Sequence, residues 1–372
     1  MADALLIAAV VLWLAYANGA NDNFKGVATL FGCGASDYRS ALQWATVATL
    51  AGSLSSVAIG AGLVAKFSGK GLVSDAVLAD PSFVSAVAFA AVATVLLATR
   101  LGYPISTTHA LVGGLVGAGV AGNGWGGVNL AALGTTFVAP LFLAPLTAVT
   151  LTALAYWLLH RARLSFGVAR ETCVCVGGHV PVVRVHPGRR PLAAAAVAMP
   201  TVTIASSQEC LQRYGGRVAG VSLQTLLDRL HYLSAGAVCF ARGLNDTPKV
   251  VALLVAAQAL HVPFAVAIVA VAMALGGLLS GRRVAETMSH KITAMNHGQG
   301  LTANLATAAL VIWASRWGLP VSTTHVSCGA LFGIGAITGH AHWRAIASIA
   351  LAWITTLPLA ALLAAAAYLS LG

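Results

Sequence analysis

An acidic phrase, Asn-Asp with a lysine three positions after the aspartate, occurs twice in this chain of 372 residues. Ionised carboxylates in apolar segments cost about 2.5–3.5 kcal/mol on insertion scales, so they are normally paired with cations or polar groups and mark ion paths. The neighbouring amide adds a carbonyl oxygen, and such oxygen ligands suit hard cations. Capping of a helix end in water is the alternative, but it does not require the same phrase twice. We therefore expect a cation, Na⁺ or H⁺, at Asn21, Asp22, Asn245 and Asp246.

The lysines of the acidic phrase, Lys25 and Lys249, would share a helix face with their aspartates and form local ion pairs. They could neutralise the carboxylates, or they could add positive potential for an incoming anion. The spacing favours neutralisation, because a local ion pair explains it without a ligand. In the second copy Pro248 fits the first turn of a helix, which predicts a helix break just before it.

A hydroxyl phrase, Pro-Ile/Val-Ser-Thr-Thr-His, also occurs twice and is followed each time by an apolar run that contains glycines. Hydroxyl residues after a proline are good N-caps, and a helix N-terminus offers unpaired N–H groups and the positive end of the dipole. Three hydroxyls add donors suited to a tetrahedral oxyanion, although capping alone would explain a single copy. Two copies that meet from opposite sides would enclose the anion. The candidate anion-site residues are Ser106, Thr107, Thr108, Ser322, Thr323 and Thr324, and we expect His109 and His325, which complete the phrases, to be structural.

Both phrases recur in the same order, which indicates an internal duplication: residue 245 follows residue 21 by 224 positions, and residue 322 follows residue 106 by 216. Apolar residues make up 58% and charged residues 8% of the chain, which is typical of a membrane protein. Several apolar stretches are too short to cross the bilayer, which suits broken helices or re-entrant hairpins. We predict an all-α polytopic membrane protein with the inverted-repeat architecture of secondary transporters. The apolar stretches lie at 41–65, 82–99, 264–279, 301–313 and 345–369.

The duplication predicts a first transmembrane repeat at 1–160, a linker at 161–221 and a second transmembrane repeat at 222–372. Eight arginines lie in the linker against two glutamates, and this positive-inside signal places the linker in the cytoplasm. The net charge is +11, but no aromatic-basic module accompanies the arginines, so we expect no nucleic-acid binding. No basic leader precedes the first apolar run, so we expect no cleaved signal peptide.

Six cysteines are scattered along the chain and indicate no disulfide framework. Cys173, Cys175, Cys210, His179 and His186 of the linker could form a zinc site. The single residue between the first two cysteines departs from the spacing of two to four residues that is usual for structural zinc. A small strand pair with free thiols is therefore the favoured interpretation, and we assign no metal site.

Together these motifs resemble the inorganic phosphate transporter family of phosphate permeases and cation/phosphate symporters. The resemblance covers nearly the whole chain except the linker and includes Gly-Arg-Arg-Val-Ala-Glu-Thr-Met at 281–288. It implies a helical inverted-repeat membrane protein that moves phosphate with sodium or protons, often as a dimer. Two departures from the family pattern, Lys25 and Arg242, place a charge at each acidic phrase. By position, the resemblance assigns Asn21, Asp22, Asn245 and Asp246 to the substrate and cation sites, and Ser106 to Thr108 with Ser322 to Thr324 to the phosphate pocket.

We therefore predict secondary transport of inorganic phosphate across the cytoplasmic membrane, coupled to sodium or protons, by a multi-pass protein in the lipid bilayer for which the resemblance suggests a homodimer. A permease for sulfate or a related oxyanion is the alternative within this class, and an anion channel is the alternative outside it. An intramembrane hydrolase would need one asymmetric nucleophile and base, whereas the candidate residues occur in equivalent pairs. We expect a protein that is not an enzyme and that has no cofactor besides its coupling ion.

Overall fold

The computed structural model describes residues 2–168, 172–178, 200–206, 208–209 and 219–371. Its first part is helical and contains one 3₁₀ turn, Trp125–Gly127, and one π-helical turn, Leu133–Val138. The helices are α1 Ala2–Asp22, α2 Ala28–Gly32, α3 Tyr38–Ile59, α4 Ala61–Phe67, α5 Asp75–Leu78, α6 Pro81–Leu101, α7 Thr107–Asn123, α8 Leu130–Ala132 and α9 Ala139–Ser165.

The second part begins with three strands and continues with helices. The strands are β1 Thr172–Gly178, β2 Pro200–Ser206 and β3 Ala219–Ser222. A π-helical turn, Thr287–Lys291, follows the third of the later helices. These helices are α10 Leu223–Ala256, α11 Val262–Ser280, α12 Arg282–Glu286, α13 His297–Arg316, α14 Thr323–Thr338 and α15 Trp343–Leu371.

The chain divides into two compact units, one formed by Met1–Trp157 with His231–Gly372 and the other by Leu158–Leu230. The predicted linker, 161–221, falls within the second unit, whereas most of both predicted repeats belongs to the first. Within the second unit the strands form an antiparallel sheet in the order β2-β1-β3, so the predicted strand pair has a third member. The boundaries of the repeats and their opposite orientation stay predictions.

The cysteines of the linker are only partly described. Cys175 on β1 is disulfide-bonded, so the expectation of free thiols is wrong for this residue. A disulfide also removes this sulfur from the thiolates that the alternative zinc site would use. Cys210, His179 and His186 of that site lie outside the described residues.

Six spans among the described helices are long and apolar enough to cross a membrane, which confirms the predicted all-helical membrane class. The apolar stretch predicted at 41–65 is not one helix, because α3 ends before Gly60 and α4 begins after it. The six spans are Leu5–Asp22, Tyr38–Ile59, Pro81–Leu101, Leu130–Ser165, Val262–Ser280 and Trp343–Leu371.

The second acidic phrase lies inside an uninterrupted helix. α10 continues through Pro248, so the predicted break before this proline is wrong. The proline ring packs against Gly60, where an added Cβ would lie 2.7 Å from Pro248 Cγ. Proline is tolerated inside membrane helices where neighbouring packing and small backbone adjustments compensate for the lost hydrogen bond. The first copy differs, because α1 ends at Asp22 and a turn at 23–27 leads into α2.

Each hydroxyl phrase forms the start of a helix in a helical hairpin, α6–α7 in the first half and α13–α14 in the second. Ser106 caps α7 by accepting a hydrogen bond from the His109 N–H at 3.1 Å, and Ser322 caps α14 by accepting one from the His325 N–H at 3.2 Å. Both serines have φ of −97° and ψ within 3° of each other. The preceding proline blocks a continuous helix, so the hairpin turn places the cap inside the protein.

The two capped helices are held by apolar clusters and by close helix packing. α7 belongs to a cluster with α1 and α6, whereas α14 belongs to a second cluster with α3 and α13. An added Cβ on Gly117 would lie 2.0 Å from the Ala361 carbonyl of α15, and one on Gly333 would lie 2.5 Å from the Val149 carbonyl of α9. Gly117 and Gly333 therefore allow their helices to pack closely against α15 and α9.

Candidate substrate and cation site

The starts of α7 and α14 meet inside the first unit, as the duplication predicts. The Thr108 hydroxyl donates to the Val321 carbonyl at 3.4 Å, and the Thr324 hydroxyl donates to the Ile105 carbonyl at 2.7 Å. Positions 105 and 321, like 108 and 324, differ by the 216 residues that relate the two phrases. Each hydroxyl phrase therefore contacts the equivalent part of the other. All six hydroxyl residues, Ser106, Thr107, Thr108, Ser322, Thr323 and Thr324, are buried.

The first acidic phrase contacts both hydroxyl phrases. Asp22 at the end of α1 is 1% exposed. Its Oδ2 atom accepts hydrogen bonds from Asn18 Nδ2 at 2.9 Å and from the Thr107 hydroxyl at 3.2 Å. Its Oδ1 atom accepts from Lys25 and, at 3.4 Å, from the Thr324 hydroxyl. The carboxylate thus lies between hydroxyls of the two halves.

The second acidic phrase repeats this arrangement on α10. Asp246 Oδ2 accepts a hydrogen bond from the Thr323 hydroxyl at 3.1 Å, just as Asp22 accepts from Thr107. Its Oδ1 atom accepts from Asn245 Nδ2 at 3.0 Å. Asp246 is 4% exposed. Each of the two buried aspartates thus accepts a hydrogen bond from the second hydroxyl of its own half.

Lys25 lies in a set of four oxygen atoms. Its Nζ atom pairs with Asp22 and donates to Asn21 Oδ1 at 2.8 Å, to the Ile105 carbonyl at 3.0 Å and to Thr324 Oγ1 at 2.5 Å. The predicted local ion pair is therefore present. Carboxylate, carbonyl and hydroxyl oxygens are also the ligands that a hard metal cation takes. The ammonium group occupies the position that such a cation would need.

Lys249 has the corresponding set in the second half. Its Nζ atom lies 3.2 Å from Asp246 Oδ1, 2.8 Å from Thr108 Oγ1 and 2.7 Å from the Val321 carbonyl oxygen. Each lysine consequently pairs with the aspartate of its own half and with the third hydroxyl of the other half. The exchange joins the two halves by charged hydrogen bonds, which are stronger than neutral ones.

Asn21 and Asn245 tie the acidic phrases to the hairpins. Asn21 Nδ2 donates to Thr99 Oγ1 at 2.9 Å, and Asn245 Oδ1 accepts from the Ser315 hydroxyl at 3.2 Å. Thr99 and Ser315 are again 216 positions apart, on α6 and α13. Asn21 Oδ1 also accepts from the Ile105 N–H at 3.2 Å. In this structure both amides orient the segments that carry the hydroxyls.

Two residues of the network, Asn18 and Arg242, were not among the predicted site residues. Arg242, 1% exposed, donates from Nη2 to Asn18 Oδ1 at 2.6 Å and from Nη1 to Asn23 Oδ1 at 3.2 Å, and its Nε lies 3.7 Å from Asp246 Oδ2. Asn18 stands one helical turn before Asp22, which is the signal that could have found it. Arg242 likewise stands one turn before Asp246. It is also one of the two positions at which the sequence departs from the family pattern.

The buried charges of the site do not cancel. Lys25, Lys249 and Arg242 are each at most 4% exposed, and they surround only two carboxylates, Asp22 and Asp246. Counted formally, these five side chains leave one positive charge in excess. A buried positive excess beside two helix N-termini is an environment that stabilises an anion.

The histidines that end the hydroxyl phrases pack against each other and against an aromatic ring. The ring centroids of His109 and His325 are 4.4 Å apart, and His325 stacks on Trp353 at 4.0 Å. Trp353 in turn donates from Nε1 to the Pro104 carbonyl at 2.9 Å. These contacts support the predicted structural role of the two histidines.

Comparison with known proteins identifies the family. The sequence model of the phosphate transporter family matches residues 18–364, a range that includes both acidic and both hydroxyl phrases. The chain belongs to the phosphate transporter family. A solved structure described as the sodium-dependent phosphate transporter aligns with a TM-score of 0.76 over 100% of this chain and 99% of that one. Their identity is 23%, and the two proteins share a fold. The family and the apolar helices are those of a multi-pass membrane transporter, not of an enzyme.

Relatives in this transporter family match the chain over different lengths. A Rhizobium meliloti protein named as a low-affinity inorganic phosphate transporter is 38% identical over 151 residues, which span 37% of this chain and 45% of that protein. A Mycobacterium bovis protein of the same name is 28% identical over 98% of this chain and 77% of its own length. A Pyrococcus horikoshii protein named as a phosphate permease is 25% identical over 94% of this chain and 93% of its own. The chain spans less than half of the Rhizobium relative.

Proposed function

We propose that this protein is a secondary transporter that moves inorganic phosphate across the cell membrane. Phosphate binds where the starts of α7 and α14 meet, with donors from the two hydroxyl phrases and from the lysine ammonium groups. The observation that carries this proposal is the meeting of two equivalent hydroxyl-lined helix N-termini beside a buried positive excess. Opposite rocking of the two repeats about this position would give alternating access. The phosphate-site residues are Asn21, Ser106, Thr107, Thr108, Asn245, Ser322, Thr323 and Thr324.

The buried carboxylates favour phosphate over sulfate. Phosphate in its protonated forms can donate a hydrogen bond, whereas sulfate at neutral pH only accepts. Asp22 and Asp246 are both within the hydroxyl network and both accept hydrogen bonds there. A carboxylate next to the anion can accept a hydrogen bond from protonated phosphate but repels sulfate. A sulfate permease is therefore the weaker candidate.

The coupling cation acts at Asp22 and Asp246, with Asn21 and Asn245 beside them, and the choice lies between H⁺ and Na⁺. The structural neighbour is described as sodium-dependent. In this chain, however, Lys25 already takes four oxygen atoms of the first position. A sodium ion would have to displace that ammonium group, so the arrangement favours protons. A homodimer, as the resemblance implies, is part of the proposal.

Uptake of radiolabelled phosphate into proteoliposomes tests these assignments. We expect saturable accumulation against the phosphate gradient when a pH gradient is imposed without sodium, and little competition by excess sulfate. Accumulation that follows only a sodium gradient would overturn the choice of protons. Equal competition by sulfate would indicate the oxyanion permease, and a flux that never saturates and that no cation gradient drives uphill would indicate the channel.

A further inference from the structure

Three side chains outside both phrases form a cluster with the chemistry of a transition-metal site. Cys33 follows α2, His231 lies on α10, and His297 is the first residue of α13. One ligand atom from each lies within 4.8 Å of the other two. Their chain positions have no motif spacing, since Cys33 and His231 are 198 residues apart. The fold alone brings them together.

The distances suit an ion of zinc's size. Cys33 Sγ lies 3.9 Å from His231 Nδ1, and the rings of His231 and His297 have centroids 5.8 Å apart. Zinc bonds of about 2.3 Å to sulfur and 2.0–2.1 Å to nitrogen put the tetrahedral ligand atoms of such a set about 3.3–3.6 Å apart. Shifts of about 1 Å would therefore close the set around the ion. His231 is buried, whereas Cys33 and His297 are half-buried.

A second layer of hydrogen bonds orients the buried histidine. His231 Nε2 lies 3.0 Å from Thr29 Oγ1, and the same hydroxyl oxygen accepts from Asn304 Nδ2 at 2.9 Å. A neutral imidazole that donates from Nε2 to Thr29 carries its lone pair on Nδ1, the nitrogen that faces the Cys33 sulfur. Metal-binding histidines characteristically have such a partner on the other ring nitrogen. The ring is also closely packed, because an added Cβ on Gly300 would lie 2.5 Å from Nε2.

We propose that Cys33, His231 and His297 bind one Zn²⁺ ion and leave its fourth coordination position open. A thiolate and two imidazoles favour zinc over hard cations such as Na⁺, Mg²⁺ or Ca²⁺, so this site is chemically distinct from the oxygen-rich position of the coupling cation. The bound ion would join the segment after α2 to α10 and α13. The proposal does not depend on which anion the protein transports.

Zinc titration of the purified full-length protein, freed of metal by a chelator and without phosphate, tests the site. We expect one ion per chain by calorimetry, and with Co²⁺ as a probe we expect the visible absorption of tetrahedral cobalt with a thiolate ligand. Cys33→Ser and His297→Ala should each weaken zinc binding at least about tenfold, and Thr29→Ala should weaken it about 10–100-fold through the orientation of His231. The buried His231 is left intact to protect folding.

His261→Ala is the matched control, because His261 is exposed and its side chain makes no capping hydrogen bond. This variant should bind zinc like the parent protein. Thermal unfolding without metal verifies that each variant is folded. Absence of zinc binding in the folded parent protein would overturn the proposal. Zinc binding by the Cys33→Ser and His297→Ala variants with the affinity of the parent protein would overturn it as well. Neither result bears on phosphate transport, which is measured separately.

Discussion

The Lys25 ammonium group of the first half donates a hydrogen bond to the Thr324 hydroxyl of the second half, with 2.5 Å between Nζ and Oγ1. Lys249 returns the contact by donating to Thr108 at 2.8 Å. The two halves are thus joined by two equivalent charged hydrogen bonds. Any movement of one hydroxyl phrase relative to the other must break or exchange these bonds. The hydrogen bonding of the two buried lysines therefore depends on the relative position of the hydroxyl phrases.

Replacement of Lys25 by methionine should remove the cation from Asp22 and leave a buried carboxylate without its charge partner. We expect a loss of about 3–5 kcal/mol in the free energy of unfolding in choline chloride. Sodium chloride should recover part of the lost stability, because Na⁺ can then bind to the oxygen atoms that surround the Lys25 ammonium group in the parent protein. Thermal unfolding in the two salts measures both effects. Lys70→Met, at an exposed lysine, is the control, and identical stability of the Lys25 variant in both salts would contradict the cation position.

Asp22→Asn and Asp246→Asn should each abolish accumulation of phosphate driven by a cation gradient. The amide keeps the shape of the side chain but cannot hold a net charge or exchange a proton, whereas insertion into the membrane should be unaffected. Uptake in proteoliposomes, normalised to the amount of folded protein, is the measurement. Full accumulation by both variants would remove the two aspartates from the coupling site.

Thr107→Val and Thr323→Val remove one hydroxyl donor at each helix start with almost no change in volume. A hydrogen bond to a charged group contributes about 1.5–3 kcal/mol, so each change should weaken phosphate binding about 10–100-fold. Calorimetric titration with inorganic phosphate reports the affinity. Thr355→Val is the control, because Thr355 is an exposed residue on α15 whose hydroxyl donates to carbonyls of its own helix. Unchanged affinity in both site variants would place the anion elsewhere.

Gly117→Ala should destabilise the protein by forcing α7 away from α15. The new Cβ would lie 2.0 Å from the Ala361 carbonyl oxygen, which belongs to backbone and cannot rotate aside. Overpacking of this kind typically costs about 1–3 kcal/mol. The Cβ added by Gly126→Ala would meet no atom of the described residues within 4 Å beyond its chain neighbours, so this variant should leave the melting temperature unchanged. Equal melting temperatures for the two variants would show that the helices do not need the glycine.

The parts of the site that the duplication marks were predictable from sequence. Asp22 and Asp246 could be paired with Lys25 and Lys249 because the spacing is local, and the meeting of the hydroxyl phrases followed from their equivalence. The cross-contacts from each lysine to the opposite half were not predictable, since they depend on how the hairpins pack.

Other features left no repeated or local signal. Asn18 belongs to no doubled motif, so only its position one turn from Asp22 connects it to the site. The continuity of α10 was missed because the sequence near Pro248 carries no sign of the Gly60 backbone that accommodates its ring. Likewise, Cys33, His231 and His297 come from three distant segments, and only tertiary packing reveals their proximity.

The first acidic phrase lies at a helix end followed by a turn, whereas the second lies within the unbroken α10. The backbone of Lys25 lies in the turn at 23–27, whereas the backbone of Lys249 belongs to α10. The two acidic phrases therefore differ in backbone structure despite their matching contacts. Under the proposed alternating access, we expect backbone rearrangement at the amino-terminal copy, whereas the carboxy-terminal copy would move together with α10.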